Sequence, residues 1–182
     1  MTLPQVRVLC EGFIRRDGKA ILEAHGSSTL VLCNPHKLVV DTSSLAYRDR
    51  VLAALVREGI DPEQVDLLVN THDHHDHIGN NQLFRRAKPL TLGRGEKEMS
   101  ICPNVKLVAT PGHTHSSVSV FVEAEVRYAI VGDAIPTRDN YEKWLPPGIN
   151  YDPDLALQSM RSIVDFADVI VPGHGPPFRV DR

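Results

Sequence analysis

The 182-residue chain has only three cysteines, Cys10, Cys33 and Cys102, and no CxxC pair among them. An odd number at wide spacing argues against a disulfide framework or a zinc ribbon and fits a reducing compartment. No apolar run approaches the roughly 18 residues needed to span a bilayer. The N-terminus lacks a basic segment followed by an apolar stretch and a small-residue cleavage site. A soluble, cytoplasmic protein without a membrane partner is therefore expected. Charge of one sign is not in excess either: net charge is -3 and the pI is near 6.3. Nothing global then favours nucleic acid as a partner, and a small molecule is expected instead. No repeat, low-complexity tract or linker divides the chain. Its length and 42% hydrophobic content fit one compact domain spanning 1–182.

Several catalytic signatures are also missing. Ser116 and Ser117 lie near a histidine but without a nucleophile-elbow motif around them. Gly93-Arg94-Gly95 lacks the third glycine and the spacing of a dinucleotide loop. Arg15-Arg16 and Arg85-Arg86 are isolated basic pairs and read as solvated surface.

What the chain does have is a series of short apolar runs bounded by turn residues, at 6–10, 12–15, 29–33 and 38–41, and again at 67–69, 89–92, 105–109, 118–122, 126–131 and 169–171. These read as strands. Residues 45–58 place Leu45, Val51, Leu52, Leu55 and Val56 at near-helical spacing ahead of Gly59, a common helix stop. Asp61-Pro62 supplies an N-cap with proline after it, and a second helix is expected near 154–166. Some strands are separated by tight turns and others by helices. That mixture points to an α+β fold of packed sheets with helices outside. The segment 135–152, with Pro136, Pro146, Pro147 and Gly148, is the longest candidate loop and is read as a binding loop. Tyr141, Lys143 and Trp144 in it are candidates for substrate contact or for packing onto the domain.

The strongest signal is Thr71-His72-Asp73-His74-His75-Asp76-His77, which follows the apolar run 67–69. Imidazole nitrogen and carboxylate oxygen are common zinc ligands. On an extended backbone His72 and His74 point the same way, which leaves Asp76 and His77 free to turn elsewhere as a helix begins. Three more apolar runs end in glycine and a ligand-type residue: Pro111-Gly112-His113, Gly132-Asp133 and Pro172-Gly173-His174. Glycine lets a strand end turn sharply and lets the backbone approach a bound group. Four such loops on one rim make a site.

HxHxDH at His72, His74, Asp76 and His77, followed by His113, Asp133 and His174, resembles the metal-binding pattern of the metallo-β-lactamase superfamily over roughly residues 38–175. The resemblance implies a four-layer αββα sandwich of two mixed sheets with outer helices. It implies one metal on His72, His74 and His113, a second on Asp76, His77 and His174, and Asp133 bridging them. Val39-Val40-Asp41-Thr42 resembles the family's early strand, whose aspartate supports the metal loop, and the same role is expected of Asp41. Two divalent ions, zinc with iron or manganese as alternatives, can hold a bridging hydroxide that attacks a carbonyl or phosphoryl group. Asp76 is the expected catalytic carboxylate, orienting that hydroxide or accepting a proton.

The family's chemistry is broad, so substrate class rests on departures from subgroup patterns. No cysteine stands in the second-metal set, which disfavours a lactam-resistance role. The chain ends eight residues after His174, too few for a C-terminal glutathione-binding helical domain, and the stretch between Asp133 and His174 has no room for a large insertion. Hydrolysis of a small ester, thioester or lactone is the expectation. The alternatives are a phosphodiesterase or ribonuclease of the same fold, and an iron-dependent persulfide dioxygenase using His72, His113 and Asp133. A dimer is plausible. His25, His36, His75 and His115 have no ligand role in the pattern and read as structural or exposed, with pocket lining the alternative for His75 and His115.

Overall fold

A computed structural model describes residues 2–18 and 20–181. Its strands are β1 (Gln5–Cys10), β2 (Phe13–Asp17), β3 (Ala20–His25), β4 (Ser28–Cys33), β5 (His36–Val40), β6 (Leu67–Val69), β7 (Lys88–Leu90), β8 (Glu98–Cys102), β9 (Val105–Ala109), β10 (Val118–Glu123), β11 (Arg127–Gly132), β12 (Val169–Pro172) and β13 (Phe178–Arg179). The α-helices are α1 (Arg48–Arg57), α2 (His75–Ile78), α3 (Arg138–Glu142) and α4 (Pro153–Phe166). One sheet has the order β1-β4-β5-β6-β7 and the other β13-β12-β11-β10-β9-β8. In the first, β1, β4 and β5 pair antiparallel while β5, β6 and β7 run parallel. In the second, only β11 and β12 are parallel. Both sheets are therefore mixed.

The burial pattern explains the layering. Val31, Leu38, Val40 and Val69 of the first sheet pack against Val105, Leu107, Val120 and Ile130 of the second, forming the apolar seam between the sheets. Val39 and Leu68 point the other way, as alternation along a strand requires, and meet Val51, Ala54 and Leu55 of α1. On the far side, Ala129, Val131 and Ile170 meet Met160 and Ile163 of α4. Helix, sheet, sheet and helix are thus stacked in four layers. Each fully buried Leu or Ile in these seams contributes about 1.5–3 kcal/mol.

The helices follow their local signals. α1 buries Val51, Ala54 and Leu55 at positions i, i+3 and i+4, and Gly59 follows it at φ 69°. α4 starts at Asp152, whose carboxylate accepts from Leu155 N at 2.9 Å, with Pro153 at the first helical position. Pro62–Gln64 forms only a 3₁₀ turn, closed by a capping box between Asp61 and Gln64. Among the described residues no helix is long and apolar enough to cross a membrane.

One expectation is overturned. Cys33, at the end of β4, and Cys102, at the end of β8, are joined in a disulfide with their Cα atoms 6.6 Å apart. They are 69 positions apart in sequence, and only the stacking of the two sheets brings them together. Cys10 is a free, buried thiol.

Candidate metal centre

The strands that lead to the candidate ligands and to Asp41 end at the same rim. β5 runs into Asp41, β6 into the segment 70–74, β9 into His113, β11 into Asp133 and β12 into His174. The loops are tied to one another there. Val118 N donates to Thr71 O at 2.8 Å, Gly26 N donates to Asp76 O at 2.8 Å, and Ser27 N donates to Gly173 O at 2.8 Å. Gly132 has φ 49°, and a Cβ on it would run into the Thr71 side chain, so the β11 turn closes against the metal loop only with glycine there.

The candidate ligands fall into two groups, each with its donor atoms within 4.8 Å of one another: His72, His74, His113 and Asp133 in one, Asp76, His77 and His174 in the other. In the first, Nδ1 of His74 lies 3.1 Å from Nε2 of His72 and 3.0 Å from Nε2 of His113. Asp133 reaches both groups. Its Oδ2 is 3.7 Å from Nε2 of His113, while its Oδ1 is 3.4 Å from Nε2 of His77 and 3.2 Å from Nε2 of His174. The Oδ2 of Asp76 is 3.5 Å from Nε2 of His174 and 3.9 Å from that of His77.

The far nitrogens of the rings are already engaged, which fixes the tautomers. Nδ1 of His113 donates to Ile149 O at 2.6 Å and Nδ1 of His174 to His25 O at 3.0 Å. Nδ1 of His77 donates to Asp41 Oδ2 at 2.7 Å. The Thr71 hydroxyl donates to that same oxygen at 2.7 Å and so accepts from Nδ1 of His72 at 3.1 Å. In neutral rings the Nε2 lone pairs of His72, His77, His113 and His174 therefore face the centre, the arrangement that outer hydrogen bonds impose on metal-binding imidazoles.

The electrostatics divide the groups. Burial, reinforced by the neighbouring His77, holds His72 down at about 2, so this ring is neutral. Burial also lowers His113 against the pull of Asp133. In the second group burial opposes the charge of His77, yet Asp41 and Asp133 outweigh it and raise the ring well above the usual histidine range. Burial likewise opposes charge on Asp133, but His174 and His77 hold it well below the usual carboxylate range. The donor set suits divalent cations: Nε2 of His77 and Oδ1 of Asp133 are buried with no hydrogen-bond partner among the described residues. Polar atoms in that state are ones that a bound ion would satisfy.

A family model described as the metallo-beta-lactamase superfamily matches residues 23–104 and 92–174. The chain is 34% identical to metallo-beta-lactamase domain-containing protein 1 of Xenopus laevis, covering 96% of this chain and 81% of that protein. It belongs to the metallo-β-lactamase superfamily. A relative in Methanocaldococcus jannaschii, named a probable metallo-hydrolase, is 33% identical over 93% of this chain and 86% of its own length. Among solved structures, a metallo-β-lactamase-type protein of Thermotoga maritima superposes with TM-score 0.78 at 18% identity, covering 97% and 99% of the two chains. A Bacillus thuringiensis protein, with N-decanoyl-L-homoserine bound at its active site, superposes with TM-score 0.77 at 21% identity, covering 96% and 94%.

A cavity of about 390 Å³ opens over the centre and is lined by His74, Asp76, His113, Asp133 and His174. Its walls come from two places. The segment 135–152 supplies Pro136, Pro147, Gly148 and Ile149, while the β2–β3 hairpin supplies Ile14, Arg16, Ile21 and Ala24. His75 also lines it. Tyr141, Lys143 and Trp144 do not: Tyr141 tilts onto Phe178, Lys143 pairs with Asp139, and Trp144 packs on the α4 side beneath Arg161. His25 stacks on Tyr47, His36 contacts Asp66, and His115 stacks on Tyr151 beside a separate recess of about 490 Å³ that also meets His72. A larger concavity, about 800 Å³, lies on the outer face of the second sheet and holds none of the candidate ligands.

The hairpin wall is what sequence reasoning missed; Arg16 is exposed, as expected, and also lines the cavity. The Arg15-Arg16 pair is split: Arg15 pairs with Glu23 at 3.3 Å, whereas Arg16 lines the cavity. Gly18, at φ 56° directly after the end of β2, was the available turn signal.

Proposed function

We propose that the protein is a metal-dependent hydrolase with a two-metal centre that cleaves a small ester, thioester or lactone. The observation that carries this reading is Asp133, which turns one carboxylate oxygen toward His77 and His174 and the other toward His113. In the proposal His72, His74 and His113 would hold one ion and Asp76, His77 and His174 the other, with Asp133 in reach of both groups. Zinc is the ion this donor set favours, with iron or manganese as alternatives. When bound, such a pair supplies an acidified water and an electrophile for a substrate oxygen. Asp76 lines the cavity and serves as the catalytic carboxylate, orienting the attacking water and taking its proton. The water oxygen forms the new bond to the acyl carbon, the bond to the alcohol or thiol breaks, and the proton from Asp76 ends on the departing oxygen or sulfur.

The neighbour with an acyl-homoserine at its active site supports a small acyl substrate. The cavity walls support it too, being apolar at Ile14, Ile21, Ala24, Pro136, Pro147 and Ile149. Phosphodiester cleavage draws less support: Arg16 is the one lysine or arginine among the described lining residues, whereas nucleic-acid sites neutralise several phosphates.

The test is a zinc-reconstituted preparation of measured metal content, assayed on thioesters, lactones, aryl esters and bis-nitrophenyl phosphate. Turnover of an acyl substrate that is lost in Asp133→Asn and His72→Ala supports the proposal. Turnover of the phosphodiester alone, or activity that survives in both variants, overturns it. Native iron content with oxygen uptake on a persulfide would replace it with the dioxygenase reading.

A further inference from the structure

The β2–β3 hairpin carries an irregularity that shapes the cavity. Pairing runs Ile14 with Ala24 and Arg15 with Glu23, then skips Leu22 so that Arg16 pairs with Ile21. A bulge of one residue reverses which side chains of the bulged strand share a face. Without it, Leu22 would accompany Ala24. With it, Ile21 and Ala24 both line the cavity beside Ile14 and Arg16, and Leu22 is left 53% exposed. Ile14 and Arg16 share a face of β2 because they are two residues apart.

Arg16 is unlike its neighbours in that wall. The other wall residues outside the histidine and aspartate cluster are apolar or glycine. Among the described residues no hydrogen bond or ion pair engages its guanidinium, while the adjacent Arg15 is held by Glu23. Across the cavity it meets Gly148, where an added Cβ would stand 3.4 Å from Nη1 of Arg16. That is ordinary van der Waals distance, so the guanidinium already reaches the opposite wall at Gly148. Arg16 is exposed, and an unpaired planar fork at the open end of a short apolar wall matches a carboxylate, which takes two parallel N–H bonds from it.

We propose that Arg16 is the anion anchor of this cavity, and that the substrate is a short acyl compound whose apolar chain ends in a carboxylate away from the scissile bond. The inference rests on the hydrolase reading for its reaction, and on the hairpin for its selectivity. A cavity of about 390 Å³ suits an acyl chain of a few carbons.

The experiment compares two thioesters of hexanedioic acid with one neutral thiol, the far end being a free carboxylate in one and its isosteric amide in the other. In the metal-loaded wild type the carboxylate form is expected to have about tenfold higher kcat/KM, mainly through KM, and the advantage shrinks as salt rises. In Arg16→Gln the ratio falls to within about twofold of unity, and Arg16→Lys restores part of it. A wild-type ratio near unity, or a preference that persists in Arg16→Gln, overturns the anchor while leaving the hydrolase reading in place. A second arm titrates the non-hydrolysable thioether of the carboxylate form by calorimetry. If both thioesters and the whole ester, thioester and lactone panel are inert but Arg16→Gln weakens thioether binding about tenfold, the anchor stands and the hydrolase reading falls. If binding is also indifferent to Arg16, both fall.

Discussion

Asp41 and His77 meet at 2.7 Å beneath the candidate metal centre, the carboxylate Oδ2 accepting from the imidazole Nδ1. The same oxygen accepts from the Thr71 hydroxyl and Oδ1 accepts from Thr71 N, each at 2.7 Å. One buried carboxylate therefore orients His77 directly and His72 through Thr71. It does so from a backbone at φ 54°, which asparagine also tolerates. Asp41→Asn keeps the shape and removes the charge. Metal affinity is expected to fall about 10–100-fold, as read by competition with a chromophoric chelator. Undiminished affinity would show that Asp41 does not position the ligands.

Gly132 tests the rim from the other side. Alanine there incurs a left-handed backbone cost of about 1–2 kcal/mol, and its Cβ runs into Thr71, which Asp41 holds in place. Gly132→Ala should lower stability by at least about 2 kcal/mol in urea denaturation and displace Asp133 from the centre, with loss of bound metal. A variant that binds metal normally and unfolds at the wild-type midpoint would refute the close approach.

How legible all this is in the sequence depends on what each segment packs against. Strands that face the inter-sheet seam or a helix announce themselves as apolar runs, as at Leu67–Val69 and Val118–Glu123. The loops with candidate ligands are legible because a ligand-type residue follows such runs, after glycine at His113, Asp133 and His174. β3 is not, since it pairs only with β2 as a two-stranded ribbon and its residues are mostly exposed or half-buried. β8 is an edge strand with the sequence Glu-Met-Ser-Ile-Cys, too mixed to read alone. The segment 135–152 reads as loop because its prolines hide the five-residue helix α3. Cys33 and Cys102 illustrate the general limit: spacing along the chain says nothing about a contact made by stacking two sheets.

That contact has a measurable weight. The bridge closes a loop of 69 residues and fastens the end of β4 to the end of β8 across the seam. Constraining the unfolded chain in this way contributes about 2–4 kcal/mol. The double variant Cys33→Ala, Cys102→Ala should show a correspondingly lower urea midpoint, and reduction of the wild type should approach the same value. If reductant leaves the wild-type midpoint unchanged, the bridge is not formed in solution.

Cys10 gives the remaining thiol a pH signature. It lies in the seam between the first sheet and α1, next to Leu9 and Leu30, and burial raises its thiol above the ordinary range despite Ser43. As pH rises through the ordinary thiol range, the unfolded chain loses this proton while the folded chain keeps it. The folded state then binds more protons, so stability falls with rising pH, by at most about 1.4 kcal/mol per unit, and the effect is absent below that range. Cys10→Ala removes the group. Urea midpoints from pH 7 to 10 should therefore decline more steeply for the wild type than for Cys10→Ala, whatever the offset from lost packing. Parallel declines would mean that the folded thiol ionises as freely as the unfolded one, and that the seam around Cys10 is open to water.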